Sequence, residues 1–354
     1  MKSLLKLSAV LLLAVLFVMG CSSGDGNESN GTSNDGNEQS NADGEAKTII
    51  LGHPNAETHP MHQSYMQFKE LVEEKTNGQI VVEVHHGGTL GGDRELAESV
   101  DTGTIQMALN GSMILGNYDP KFRIFDLPFI FDSYEEVDKI IEGSIGKQLS
   151  DVIEGTNIRV LSFPEAGFRD ITTGKKEIKT AEDLEGIKIR ALETPVHIAG
   201  FEALGMSPTS IPFPEVYSSL QSGVIDAQEN SNSNTYHSKF YEVQSYLTTP
   251  GIFFLLDMTI INEDFYQSLT EEQQQIITES AIEAAKFQRE LNREEEDKMR
   301  EFIADEGVVV NELSDTELGK LKEKSKPVYD QFHSEIGEDF AKAVSEELGR
   351  DLFE

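Results

Sequence analysis

Between residues 47 and 109, short apolar runs alternate with helical patterns, and this alternation limits the fold more than any other feature. TIILG at 48–52 has the length and β-branched content of a strand. Residues 61–76 put Tyr65, Phe68, Leu71 and Val72 on one helical face, and Asn77-Gly78 stops the helix. QIVVEV at 79–84 predicts a second strand, 93–102 a second helix and 104–109 a third strand. Such a βαβαβ rhythm requires a doubly wound α/β domain, because parallel strands need a crossover between them. Further strands are expected at 157–163 and 187–191, so a second α/β unit begins near Gly167. Past Asp257 the pattern turns helical. Thr270-Glu271-Glu272-Gln273 reads as a capping box opening a long charged helix that reaches Glu306.

The N-terminus reads as an address. Lys2 and Lys6 precede an apolar run from Leu7 to Met19, too short to span a bilayer comfortably. Residues 1–20 are therefore expected to be a signal peptide. The run ends Val18-Met19-Gly20-Cys21, and this is the only cysteine in the chain. A small residue just before a cysteine at the cleavage point resembles a bacterial lipobox, so Cys21 is expected to carry a lipid. Residues 22–46 offer almost nothing apolar to bury, so they cannot offset their ordering entropy and read as a flexible tether. The expected location is extracytoplasmic, anchored by lipid to the outer face of the cytoplasmic membrane.

Composition excludes several functions. With 29 Lys+Arg against 63 Asp+Glu, the net charge is −34, which repels nucleic acid. One cysteine rules out an internal disulfide and a cysteine-based zinc site. The early histidines His53, His59, His62, His85 and His86 lack metal-ligand spacing, and no metal or cofactor is expected. HHGGTLGGD at 85–93 lacks the Lys-Ser/Thr of a phosphate loop and reads as a turn. No G-x-S-x-G elbow is present, so nothing points to an enzyme.

The arginines carry the sharper signal. Arg169 in GFRDITTG and Arg190 in GIKIRAL both sit in segments expected to be ordered. A strand-borne guanidinium in an apolar stretch needs a partner. An internal carboxylate would satisfy it, and so would the carboxylate of a ligand.

Residues 186–247 carry four linked motifs: KIR at 188–190, IPFPEVY at 211–217, LQSGVIDAQEN at 220–230 and KFYEV at 239–243. In order and spacing they resemble the signature region of the solute-binding proteins of TRAP (tripartite ATP-independent periplasmic) transporters. GFRDITTG, LGGDRELAESVDTGTIQMA and FDLPFIF extend the resemblance over nearly all of residues 47–354. It implies a two-lobed, periplasmic-binding-protein-like α/β fold with a hinge cleft and a long connecting helix. Domain I is expected at 47–167 plus 256–295, and domain II at 168–255 plus 296–354. Arg190 is implied to fork onto a ligand carboxylate, with Arg169 as a second cationic contact and Asn230 hydrogen-bonding the same group. Phe213 would wall the pocket, and Asn110, His53 and Asp93 would face the cleft from the first domain. The implied partners are a small organic acid and the membrane permease subunits of the transporter.

Two departures stand out. Ser231 replaces the proline that usually follows the Glu-Asn pair, and Glu193 is acidic where a neutral polar residue is common. Glu193 lies three residues after Arg190. If it approaches the same pocket, it would repel a second ligand carboxylate and accept a hydrogen bond from a sugar hydroxyl. The expected ligand is therefore a hydroxylated monocarboxylate such as a uronate, with a C4-dicarboxylate as the alternative. From another class, the alternative function is that of a metal-capturing lipoprotein built on the early histidines.

Overall fold

The computed structural model describes residues 46–353. The expected signal segment, Cys21 and the tether up to residue 45 lie outside the described residues.

Among the described residues, ten strands form one sheet. β1 (Lys47–Gly52) pairs in parallel with β2 (Ile80–His85) and β3 (Met107–Gly111). β4 (Ile158–Ser162), β5 (Glu165–Thr173), β6 (Lys188–Ala191), β7 (Ser207–Ser210) and β8 (Ala227–Asn230) follow. β9 (Tyr246–Asn262) has 17 residues, and β10 (Val309–Asn311) completes the set. The order is β2-β1-β3-β9-β5-β8-β6-β7, with β4 and β10 as further partners of β9. The third strand begins at Met107 rather than at residue 104, because Thr102 and Gly103 (φ 72°) close the preceding helix and turn the chain.

β9 holds the two lobes together. Its C-terminal end pairs antiparallel with β3 and β4, placing Asp257 opposite Gly111 and Asn262 opposite Ile158. Its N-terminal end pairs with β5 and β10, placing Tyr246 opposite Thr173 and Val309. The sequence reading turned helical after Asp257, whereas the strand continues to Asn262. An apolar run buried on both faces shows no alternation and gives no period to read. The β5–β9 register shifts between Arg169 and Ile171, and Pro250 and Gly251 (φ 54°) sit opposite that shift. Proline offers no N–H to the ladder, so a bulge there loses little.

The long helix is the second link. Thr270 accepts the Gln273 N–H and Gln273 reaches back to the Thr270 N–H, the capping box the sequence predicts for Glu271–Asp305. Its first half packs Ile277, Ala281 and Ala284 against Met61, Tyr65 and Phe68 of the helix Pro60–Lys75. Near its far end, Ile303 packs with Leu247 and Val308 on the second lobe. Between them the helix grips Glu165, where the chain enters β5. Gln288 accepts the Glu165 N–H at 2.9 Å and donates to its carbonyl at 2.8 Å. Arg293 binds the fully buried Glu165 carboxylate through Nε and Nη2, both at 2.8 Å, and also Asp138 at 2.7 Å.

The C-terminal residues divide between the lobes. Val328, Phe332 and Ile336 of the helix Asp315–Ile336, with Phe340, Val344 and Leu348 of the helix Glu338–Leu348, share a core with Phe122, Phe125, Val137 and Ile140. Leu321 instead joins the second-lobe core around Ile171, Ile189 and Phe201. The apolar stripes of these helices match the apolar face of the first-lobe helix Tyr134–Glu142.

Replacing Arg293 by Met strands the buried Glu165 carboxylate without its counter-charge. The expected loss is about 3–5 kcal/mol of folding stability. Urea denaturation reads it as a lower midpoint; an unchanged midpoint would remove this network from the account of the crossover.

Candidate functional site

Arg190 lies on β6, between β7 and β8, and is 2% exposed. Its Nε donates to the Ile211 carbonyl at 2.8 Å. The chain has nine arginines, and the other eight each have a carboxylate oxygen within 4.0 Å. Among the described residues Arg190 has none. Burial, with repulsion from Arg169, lowers its pKa to about 10. A buried charge without a counter-ion costs several kcal/mol, and among the described residues no carboxylate lies beside the two Nη groups.

Arg169, on β5, is saturated by contrast. Its Nη2 donates to the Glu229 carboxylate at 2.9 Å and to the Glu229 carbonyl at 2.8 Å, and its Nη1 donates to Asn230 Oδ1 at 3.0 Å. The antiparallel β5–β8 register, with Ile171 opposite Glu229, brings these groups together. His197 Nε2 lies 3.2 Å from the same carboxylate, and its Nδ1 accepts the Leu192 N–H at 2.9 Å. Burial alone would raise the Glu229 pKa; Arg169 and His197 outweigh it and hold the carboxyl at about 2. Burial keeps the His197 pKa below the usual imidazole range.

A cavity opens between the lobes. Second-lobe residues Arg169, Arg190, Leu192, Phe213, Asn230 and Asn234 line one side, and Pro54, Asn55, Asp93 and Leu109 line the other. Ala166, Leu255 and Asp257 form its floor near the crossover strands. Asp257 is 5% exposed, and burial followed by repulsion from Asp93 pushes its pKa well above the carboxylate range. Burial lifts Asp93 to about 6 against the opposing pull of Arg190 and Arg169. An amide chain crosses the cleft: Asn55 donates to Asn234 at 2.9 Å, and Asn234 donates to Asn230 at 3.0 Å.

Of the residues singled out from sequence, Arg190, Arg169, Asn230, Phe213 and Asp93 meet at this cavity. The other three do not line it. Asn110 sits behind Asp93 and donates to its carbonyl at 2.7 Å. His53 is turned toward His62, with Nε2 3.1 Å from His62 Nδ1, and burial lowers its pKa to about 3. Glu193 pairs with Arg94 across the cleft rim at 3.1 Å. Among the described residues no group of three His, Cys, Asp or Glu is arranged to hold a metal ion.

Asn55, Asn234 and Asp257 were missed. Asp257 had a readable signal, a lone carboxylate inside IFFLLDMTII. Asn55 and Asn234 lie 179 positions apart, and only folding brings them together. The site offers a guanidinium with no carboxylate beside it, amide donors and acceptors, two buried carboxyls and an aromatic wall. That set suits a small anion bearing further polar groups.

Comparison with known proteins agrees. The description "bacterial extracellular solute-binding protein, family 7" (DctP) matches residues 51–335. The 2,3-diketo-L-gulonate-binding periplasmic protein YiaO of Escherichia coli is 32% identical over 304 residues, covering 85% of this chain and 92% of that protein. The sugar acid binding protein DctPAm of Advenella mimigardefordensis, solved with galactonate, superposes with a TM-score of 0.84 at 29% identity, covering 86% and 98% of the two chains. A TRAP periplasmic solute-binding protein of Shewanella oneidensis with bound succinate gives 0.82 at 29% identity, covering 86% and 99%. The fold, the matched span and these likenesses lead to one conclusion: the chain belongs to bacterial extracellular solute-binding protein family 7, the solute-binding proteins of TRAP transporters.

Proposed function

We propose that the protein captures a hydroxylated monocarboxylate of the sugar-acid class and delivers it to the permease subunits of a TRAP transporter. The observation that carries this is the pairing of one guanidinium without a counter-ion, Arg190, with the acidic residues Asp93 and Asp257 in the same cavity. The ligand carboxylate would take both Nη groups of Arg190, with Asn230 beside it. Hydroxyls further along the ligand would donate to Asp93 and Asp257, charge-assisted contacts where the carboxyl is ionised. A second carboxylate beside Asp93 would meet like charge wherever that carboxyl is ionised. Glu193 does not carry this argument, since Arg94 already engages it. YiaO and DctPAm bind sugar acids by name, which supports the reading.

One observation favours a C4-dicarboxylate instead. Burial pushes the Asp257 pKa well above the usual carboxylate range, and in its protonated form the carboxyl would donate a hydrogen bond to a second carboxylate. The succinate-bound Shewanella protein fits that alternative. Delivery from the membrane surface would rest on the lipid at Cys21 and the tether that follows it.

Arg190→Lys keeps the charge but loses the planar fork. Calorimetry should show affinity falling by about ten- to a hundredfold, as for the loss of one charge-assisted hydrogen bond. Near wild-type affinity would displace Arg190 from this role.

A thermal-shift panel of galactonate, galacturonate, 2,3-diketo-L-gulonate, succinate and malate addresses the ligand class. Sugar acids should stabilise the protein, by about 4 kcal/mol at a thousand times the dissociation constant. A response to succinate or malate alone would replace the sugar-acid reading with the dicarboxylate one.

Cys21→Ala should release the protein from the membrane fraction into the medium or periplasm. Full retention in the membrane would mean that something other than this cysteine anchors it.

A further inference from the structure

The glycine-rich turn at residues 85–93 has no part in the chemistry described so far. Its position gives it one. Gly88 (φ 69°) faces the segment 212–214 of the opposite lobe, and a Cβ there would lie 2.7 Å from Pro214 Cγ and 3.3 Å from Pro214 Cβ. Gly92, at the end of the same turn, would place a Cβ 3.5 Å from Pro212 Cβ. Between the two prolines stands Phe213, which lines the cavity. Just beyond the turn, Arg94 reaches across to Glu193 at 3.1 Å. On the opposite rim Thr58 meets His237 at 2.8 Å and Asn55 meets Asn234 at 2.9 Å.

We propose that this turn is the seat on which the Pro-Phe-Pro segment lands when the lobes close, and that Gly88 thereby sets ligand affinity without touching ligand. The proposal rests on reading the interlobe cavity as the binding cleft. Two prolines fix the backbone of the arriving segment, so it cannot flex around an added atom. A bare glycine lets the Pro214 ring sit against main chain. Seating the ring also brings Phe213 over the cavity. A methyl group at Gly88 would hold the lobes apart, because atoms in a packed contact cannot approach to 2.7 Å without displacement.

Gly87 supplies a matched control. Its φ is 66°, close to that of Gly88, yet a Cβ there would meet nothing within 4 Å. Gly87→Ala and Gly88→Ala therefore share the backbone strain of a left-handed alanine and differ chiefly in the contact with the other lobe, the remaining Gly88 neighbour, Gly91 O at 3.5 Å, being at ordinary van der Waals distance. Both should lose similar thermal stability in the full-length protein. Calorimetry with galactonate, galacturonate or succinate, whichever the wild type binds, should give wild-type-like affinity for Gly87→Ala. Gly88→Ala should bind about ten- to a hundredfold more weakly, a range typical of overpacked contacts. Gly88→Ala combined with Pro214→Ala should recover most of the loss. Small-angle scattering should show Gly88→Ala more extended than Gly87→Ala. Equal affinities for the two alanine variants, or no recovery in the double variant, would overturn the proposal while leaving the ligand reading intact. If the wild type binds none of the three acids, the ligand reading falls and scattering alone decides: identical profiles for the two variants would overturn the seat.

Discussion

A guanidinium buried on a β-strand without a counter-ion is an incomplete interaction, and the cleft is organised around it. Arg190 cannot shed its charge at neutral pH even with its pKa lowered to about 10. Each of the other eight arginines has a carboxylate within 4.0 Å, although only Arg169 is as deeply buried. Arg169, two strands away across β8, shows how complete the internal solution can be: Glu229 and Asn230 occupy its fork, and His197 backs Glu229. The contrast sorts two similar strand-borne arginines into a paired one and an unpaired one.

The acidic groups complete the electrostatic plan. Asp93 comes from the first lobe, and Asp257 from the strand the lobes share. Low dielectric strengthens the attraction of Arg190 for an incoming anion and raises the cost of leaving Asp257 charged and unpaired. The same burial thus lowers the Arg190 pKa and raises that of Asp257. β9, the Glu165 crossover and the long helix pass between the lobes at one side of this cavity, so the lobes share a floor. The sequence motifs of the opposite rim, Gly-rich on one lobe and Pro-rich on the other, meet only across the cleft.

Legibility followed the range of the physics involved. The strand-helix rhythm through Leu109 and the Thr270 capping box are local, and both read correctly from a few neighbouring residues. β9 did not read, because its buried run lacks a period and contains Pro250 and Gly251. Asp257 stood out in that run but needed the strand to be recognised first. Glu193 sits three residues from Arg190, and proximity in sequence suggested proximity in space. On β6 alternate residues face opposite ways, and the chain turns at Thr194 into the helix Pro195–Ala203, so Glu193 points to Arg94 at the rim.

The sequence by itself determined the α/β class, the family resemblance and the short list of arginines, because hydrophobic period, capping chemistry and motif spacing are all written along the chain. Only the tertiary structure decided which arginine lacks a counter-ion, which carboxyls enter the cavity and which residues touch across it. Those outcomes depend on pairs such as Asn55 with Asn234 and Glu165 with Arg293, separated by 179 and 128 positions. A charge is satisfied by whatever lies within a few ångströms of it, and that neighbourhood exists only after the sheet has folded.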